Sequence, residues 1–259
     1  MTEAQRLARQ IVVGLVLVLI VGGLGFLFFR GFGTAGPTPT PDQTINLAPI
    51  RIISTKLFNI QNDDYDFLAK VRNANVDYGS GNVEYVLTFY DFSNREISNK
   101  AGSFYILPGQ TKYLIDSPLS FQAPVSRADF KITGVDWQKL DPLAASGVSL
   151  AVRNAEYSQV SQPAIFAKVS GSIFNNSDFD LGQTDVSVVV LDENDEPIAV
   201  NKSKIFTFLA RTTRGFEVSW IKSFVGRVAR VDAEALTNVF ENSNFLRSYG
   251  GQEKFKQQY

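Results

Sequence analysis

The 259-residue chain contains no cysteine and no histidine. Without cysteine there is no disulfide, no thiol nucleophile and no Cys-ligated zinc or iron–sulfur site. Without histidine the chain lacks the commonest general base and the commonest transition-metal ligand. An enzyme built from this alphabet would have to work with carboxylates, lysine, tyrosine or serine, and the sequence reads as that of a non-enzymatic protein. Charge of one sign is missing too: 25 Lys and Arg against 26 Asp and Glu leave a net charge of −1. With no basic cluster beyond the N-terminus, no nucleic-acid partner is expected. What is abundant is apolar surface, at 44% hydrophobic residues including 21 Phe, 9 Tyr and 2 Trp. That is enough to offset the entropy of ordering the chain.

The longest apolar run is residues 11–29, IVVGLVLVLIVGGLGFLFF, with no charged or polar side chain. As a helix it reaches about 28 Å, close to the roughly 30 Å hydrocarbon core of a bilayer. It is longer than the apolar region of a cleaved signal peptide. Arg30 follows it directly, and Gly33-Thr34-Ala35 is a poor cleavage site. Residues 11–30 are therefore expected to form an uncleaved, single-pass transmembrane anchor. Arg6 and Arg9 precede it, which places residues 1–10 in the cytoplasm and the remainder of the chain outside the cell membrane. Gly14, Gly22, Gly23 and Gly25 would let this helix approach another copy of itself. Residues 31–44, GFGTAGPTPTPDQT, favour an extended Thr/Pro spacer, and its residues 34–44 would reach about 30 Å and lift the folded part clear of the lipid.

From residue 45 the dominant period is two. Val83, Tyr85, Leu87 and Phe89 share one face of a strand, with Glu84, Val86, Thr88 and Tyr90 on the other. Similar runs occupy residues 50–58, 67–71, 104–107 and 113–115, with turn signals at Ser80-Gly81, Ser93-Asn94 and Pro108-Gly109. The pattern recurs about 100 residues on, as an internal duplication does. Ala69-Lys70-Val71 returns as Ala167-Lys168-Val169, residues 87–91 as 188–192, Ile97 as Ile198, and Val125-Ser126-Arg127 as Val225-Gly226-Arg227. Each copy has room for about seven short strands, so an all-β chain of two tandem immunoglobulin-like sandwiches is expected, at residues 45–140 and 145–240. The short joint at residues 141–144 implies a stiff pair. Residues 241–259, polar and carrying Gly250-Gly251, read as a mobile C-terminal tail.

Each copy resembles the FxLYD-type domain of bacterial envelope proteins. The resemblance rests on Leu87-Thr88-Phe89-Tyr90-Asp91, on Leu107-Pro108-Gly109-Gln110, and on the Asn-rich loops Asn73-Ala74-Asn75 and Asn175-Asn176-Ser177. In the second copy residues 188–192 keep only the aspartate and the apolar alternation, and Leu209-Ala210-Arg211 departs from the L-P-G pattern. The resemblance implies an outward-facing immunoglobulin-like sandwich and transfers no catalytic residue.

The densest group of chemical side chains is the loop DENDEP, Asp192 to Pro197. Asp192-x-Asn194-x-Glu196 imitates the start of a calcium loop, but Pro197 and Ser203 stand where an EF-hand needs glycine and glutamate. Residues 61–66, QNDDYD, form a second acidic loop. Glu193, Asp195 and Glu196 would suit glycoside hydrolysis only in a cleft that shifts their acidities. In both copies an aspartate ends an apolar strand, Asp91 and Asp192, so the shared task is expected to be an Asx-type turn. Tyr65, Tyr78 and Phe179 lie in loop-like stretches where they could face a carbohydrate. The sequons at Asn175 and Asn201 matter only in a glycosylating pathway. No catalytic, cofactor or metal residue is assigned. The expected function is a membrane-anchored, extracytoplasmic interaction or structural protein for envelope or surface partners, the alternative being a module that senses or binds glycan or Ca²⁺.

Overall fold

Alternating apolar residues make strands only if their faces find a partner, and here each set of strands closes on its own core. The computed structural model describes residues 46–259 apart from residue 163; the expected anchor and spacer lie outside the described residues. The first copy supplies β1 (Arg51–Gln61), β2 (Asp64–Arg72), β3 (Tyr78–Tyr90), β4 (Glu96–Ile106), β5 (Thr111–Ser120) and β6 (Arg127–Leu140). The second supplies β7 (Leu150–Gln162), β8 (Ile165–Asn175), β9 (Leu181–Leu191), β10 (Pro197–Phe208), β11 (Thr213–Trp220) and β12 (Arg230–Leu236). A short helix, α1 (Ala144–Gly147), joins them.

Both copies have the same antiparallel plan. The sheets are ordered β1-β2-β5 and β6-β3-β4 in the first, β7-β8-β11 and β12-β9-β10 in the second. Phe67, Ala69 and Val71 from one sheet meet Val83, Leu87, Phe89 and Trp137 from the other. Val169 and Ile173 meet Val186, Val188 and Val190 in the same way. The chain is thus all-β, with two sandwiches.

Six strands belong to each copy, not seven, and the seventh strand of the first sandwich comes from the far end of the chain. Residues 241–259 are not a loose tail. After the 3₁₀ turn Val239–Glu241, helix α2 (Ser243–Tyr249) leads into β13 (Gly250–Gln258), which pairs antiparallel with β6. The polar composition misled because an edge strand needs only one apolar contact. Phe255 supplies it, packing on the first core and edge-on to Tyr78. The polar residues also bind: Gln257 Oε1 accepts from Trp137 Nε1 at 3.0 Å, and Lys256 reaches Glu84. On the way, Leu140, Ala144, Val239 and Phe245 form a small core at the joint. Ser80-Gly81, expected as a turn, lies inside β3; a Cβ on Gly81 would stand 2.7 Å from Phe240, so the glycine admits this returning segment.

The sandwiches stack side by side. The outer face of β1-β2-β5 presents Phe58, Leu68 and Ile115 to Val189, Leu191 and Val200 on β9 and β10. Four sheets therefore lie in layers, and the two inner ones are covered on both faces. This explains the uninterrupted Val188-Val189-Val190-Leu191, whose successive side chains serve alternate cores. Leu47–Tyr259 forms one compact unit.

Hydrogen bonding refines the duplication. Asn73 and Asn175 are each wholly buried. The Asn73 amide donates to the carbonyls of Tyr78 and Leu107, and that of Asn175 to those of Phe179, Phe208 and Leu209. Counted from these asparagines, Ala69-Lys70-Val71 corresponds to Gly171-Ser172-Ile173, four residues beyond the Ala-Lys-Val that matches it in letters. Likewise Ser126 N–H binds Tyr90 O as Ala229 N–H binds Leu191 O, so Val125-Ser126-Arg127 corresponds to Val228-Ala229-Arg230 and not to residues 225–227. Short words shared by two strands are chosen by alternation alone, whereas a buried amide bracing a loop has one place.

Candidate functional site

The acidic loop is a turn. Asp192 Oδ1 accepts from the N–H groups of Asn194 and Glu196 at 2.8 and 3.0 Å, while Asp192 N–H donates to Glu196 O. Asp91 repeats every one of these bonds with Ser93 and Arg95. Asn94 and Asp195 both sit at φ 62°, the left-handed position that Asn and Asp tolerate. The backbone N–H groups of Glu196 and Arg95 hold the Asp192 and Asp91 carboxyls below the usual range. The other acids carry surface ion pairs: Glu193 with Arg227, Asp195 with Arg230 and Glu196 with Lys56. Among the described residues no three acidic side chains converge as metal ligands. In the loop 61–66, Asp64 accepts from Ser120 and Gln61, and burial of Asp66 holds its carboxyl above the usual carboxylate range. Tyr65 and Tyr78 are strand residues buried in the first core, and Phe179 packs against Phe245 and Tyr249. None of the three forms an exposed carbohydrate platform.

What the sequence did not announce is the polar half of the seam between the sandwiches. Tyr105 donates its hydroxyl to Asp185 at 2.9 Å, and Tyr113 donates to Asp232 at 2.9 Å. The backbone N–H of Tyr113, at the free edge of β5, donates to Glu234 at 2.6 Å. Lys112 is buried; its ammonium donates to Tyr105 O at 3.0 Å and lies 3.7 Å from the center of the Tyr105 ring. Burial pushes Lys112 down to about 8 and Glu234 up to about 7. Lys202 crosses the seam to donate to Ile115 O at 3.1 Å.

Beside this network a cleft of about 680 Å³ opens between β4 and β5 on one side and β9 and β10 on the other. Residues 237–243 border it, so the returning segment helps to build it. Asp116 on its wall is 7% exposed; its Oδ1 accepts from Lys100 Nζ at 2.8 Å, while its Oδ2 is buried with no partner among the described residues. The cleft draws on six separate segments, with Gly81 and Tyr85 of β3 added to these, so no local motif could have revealed it.

No family model and no curated protein matches the chain. Among solved structures, a glycosyl hydrolase family 2 member from Bacteroides cellulosilyticus DSM 14838 is similar at 11% identity over 68% of this chain and 28% of that one, with a TM-score of 0.19. A Bacteroides uniformis beta-glucuronidase is similar at 7% identity over 77% and 26%, TM-score 0.24. Red sea bream transglutaminase is similar at 9% over 73% and 30%, TM-score 0.20. The chain spans less than a third of each of these, and at such scores the likeness carries no argument about its activity.

Proposed function

We propose that the chain is a single-pass, membrane-anchored protein whose head, outside the cell membrane, presents a rigid pair of immunoglobulin-like domains to envelope or surface proteins. The observation that carries this reading is the return of residues 239–258 from the second sandwich to the first. A chain that ties its two copies together in this way displays their loops in one fixed arrangement, which suits a scaffold. The order β1-β2-β5 facing β4-β3-β6-β13 supports the immunoglobulin-like assignment, and the FxLYD-type resemblance belongs to the same proposal. Among the described residues no helix is long and apolar enough to cross a membrane; the anchor rests on residues 11–29 of the sequence. The acidic turns support an architectural role, since their carboxylates cap backbone or form surface pairs.

Crosslinking the full chain in native membranes, followed by mass spectrometry, tests the scaffold. Reproducible crosslinks from the sandwich loops to other envelope proteins are expected, and a head that crosslinks to no protein refutes the role. Deleting residues 11–29 tests the anchor separately. The deleted protein should leave the membrane fraction, and its retention there without a partner would refute the anchor.

A further inference from the structure

We propose that the cleft between the sandwiches binds a neutral, hydroxyl-rich ligand of the mono- or disaccharide class, held against Asp116 and Lys202. The volume, about 680 Å³, lies in the range of small-molecule sites, and a domain seam is where such sites concentrate. Its walls are polar, and charge selects the ligand class. Lys112, Lys202 and Lys204 face Asp116, Asp180, Asp185 and Glu241 across the same space. Three cations against four anions leave no field to draw a strongly charged molecule.

The local chemistry is that of a hydroxyl. Asp116 Oδ2 is a buried acceptor without a donor among the described residues, a state that costs stability, and a ligand donor reaches it by a turn of the Asp116 side chain toward the cleft it lines. Lys202 Nζ stands 4.0 Å from Asp116 Oδ1 and spends one bond on Ile115 O, which leaves it two N–H donors. A sugar hydroxyl donates to one of these groups and accepts from the other, so neighbouring hydroxyls satisfy both without bringing charge. An ammonium ligand would be opposed by Lys100 and Lys202, both already beside Asp116. Asn238 and Gln183 on the cleft border add amides able to donate and accept.

The test uses the full chain in a detergent without a sugar headgroup, applied to an array of neutral mono- and disaccharides, with spermidine and glycine betaine titrated alongside. At least one saccharide should bind, and calorimetry should then show it weakened tenfold or more by Asp116→Asn. Ser103→Trp, which fills the cleft from an exposed position, should weaken it similarly, so the outcome does not depend on the folding of the Asp116 variant. Glu193→Gln, on the distant turn, should leave the affinity unchanged. Failure of every saccharide, binding of spermidine or betaine alone, or saccharide affinity untouched by Ser103→Trp would each overturn the proposal.

Discussion

Replacing Phe245 with alanine separates a tail from a strap. Phe245 has no exposed surface and packs with Leu140, Ala144 and Val239, its ring centre 5.6 Å from that of Phe179 and 5.0 Å from that of Tyr249. Removing a fully buried phenylalanine costs about 3–5 kcal/mol, through lost transfer energy and the cavity left behind. A value near 4 kcal/mol is expected, since the contacts come from both sides of the joint and neither side can collapse alone. Urea unfolding followed by tryptophan fluorescence gives the readout, because Trp137 lies in the first sandwich and Trp220 in the second. Single-tryptophan versions of the chain, Trp137→Phe and Trp220→Phe, report the sandwiches separately. Both transitions should move to lower urea in Phe245→Ala. A loss below about 1 kcal/mol, under the range for such a residue, or a shift seen by only one tryptophan, would refute the strap.

Asn175→Ala should cost about 2–4 kcal/mol in the same urea assay, because it strips the donor from three inward carbonyls and the acceptor from Ser177; a loss under 0.5 kcal/mol would contradict the bracing role. Gly81→Val should cost about 1–3 kcal/mol by overpacking against Phe240. In a double-mutant cycle Phe240→Ala should relieve part of that cost, and strict additivity would mean the two do not meet. Glu234 is pushed by burial from 4.5 to about 7. The folded chain therefore holds this proton where the unfolded chain has lost it, and stability should fall as pH rises through the window from about 4.5 to about 7. Glu234→Gln should flatten that fall, and an unchanged pH profile of unfolding would show that the group does not titrate at the seam.

The strands were legible in the sequence because each sandwich has a wet face to contrast with its core. Val83, Tyr85, Leu87 and Phe89 all point into the first core, as their alternation requires. The task of Asp192 was legible because the same turn occurs twice with different charges. The stacking was written only as a loss of alternation at residues 188–191, a signal that a helix or a simple buried strand would also give. The C-terminal strand was hidden because GGQEKFKQQ holds a single apolar residue, and its other contacts are hydrogen bonds that composition does not encode. The cleft was invisible for a different reason. Ser103, Asp116, Gln183, Lys202 and Asn238 belong to separate strands and loops, and only the packing of one sandwich on the other brings them together.

That packing joins non-equivalent surfaces of the two copies. The first uses its β1-β2-β5 sheet, while the second uses the sheet that corresponds to β4-β3-β6. Divergence between the copies follows this choice. Val189, Leu191 and Val200 at the seam correspond to Thr88, Tyr90 and Asn99, which face outward in the first copy; there the Arg127 guanidinium covers the Tyr90 ring at 3.7 Å. Conversely, Leu68 and Ile115 at the seam correspond to Ser170 and Glu217 on the outer sheet of the second copy. At these positions apolar residues stand where a copy meets its sister, and more polar ones stand where it meets water. A symmetric contact would have placed the same residues on both sides of the seam and left the copies alike. The heterologous contact instead leaves one broad sheet of each copy uncovered among the described residues, and on the second copy's outer sheet Ser170 and Glu217 give that face the polar character of a capping surface in a repeat protein.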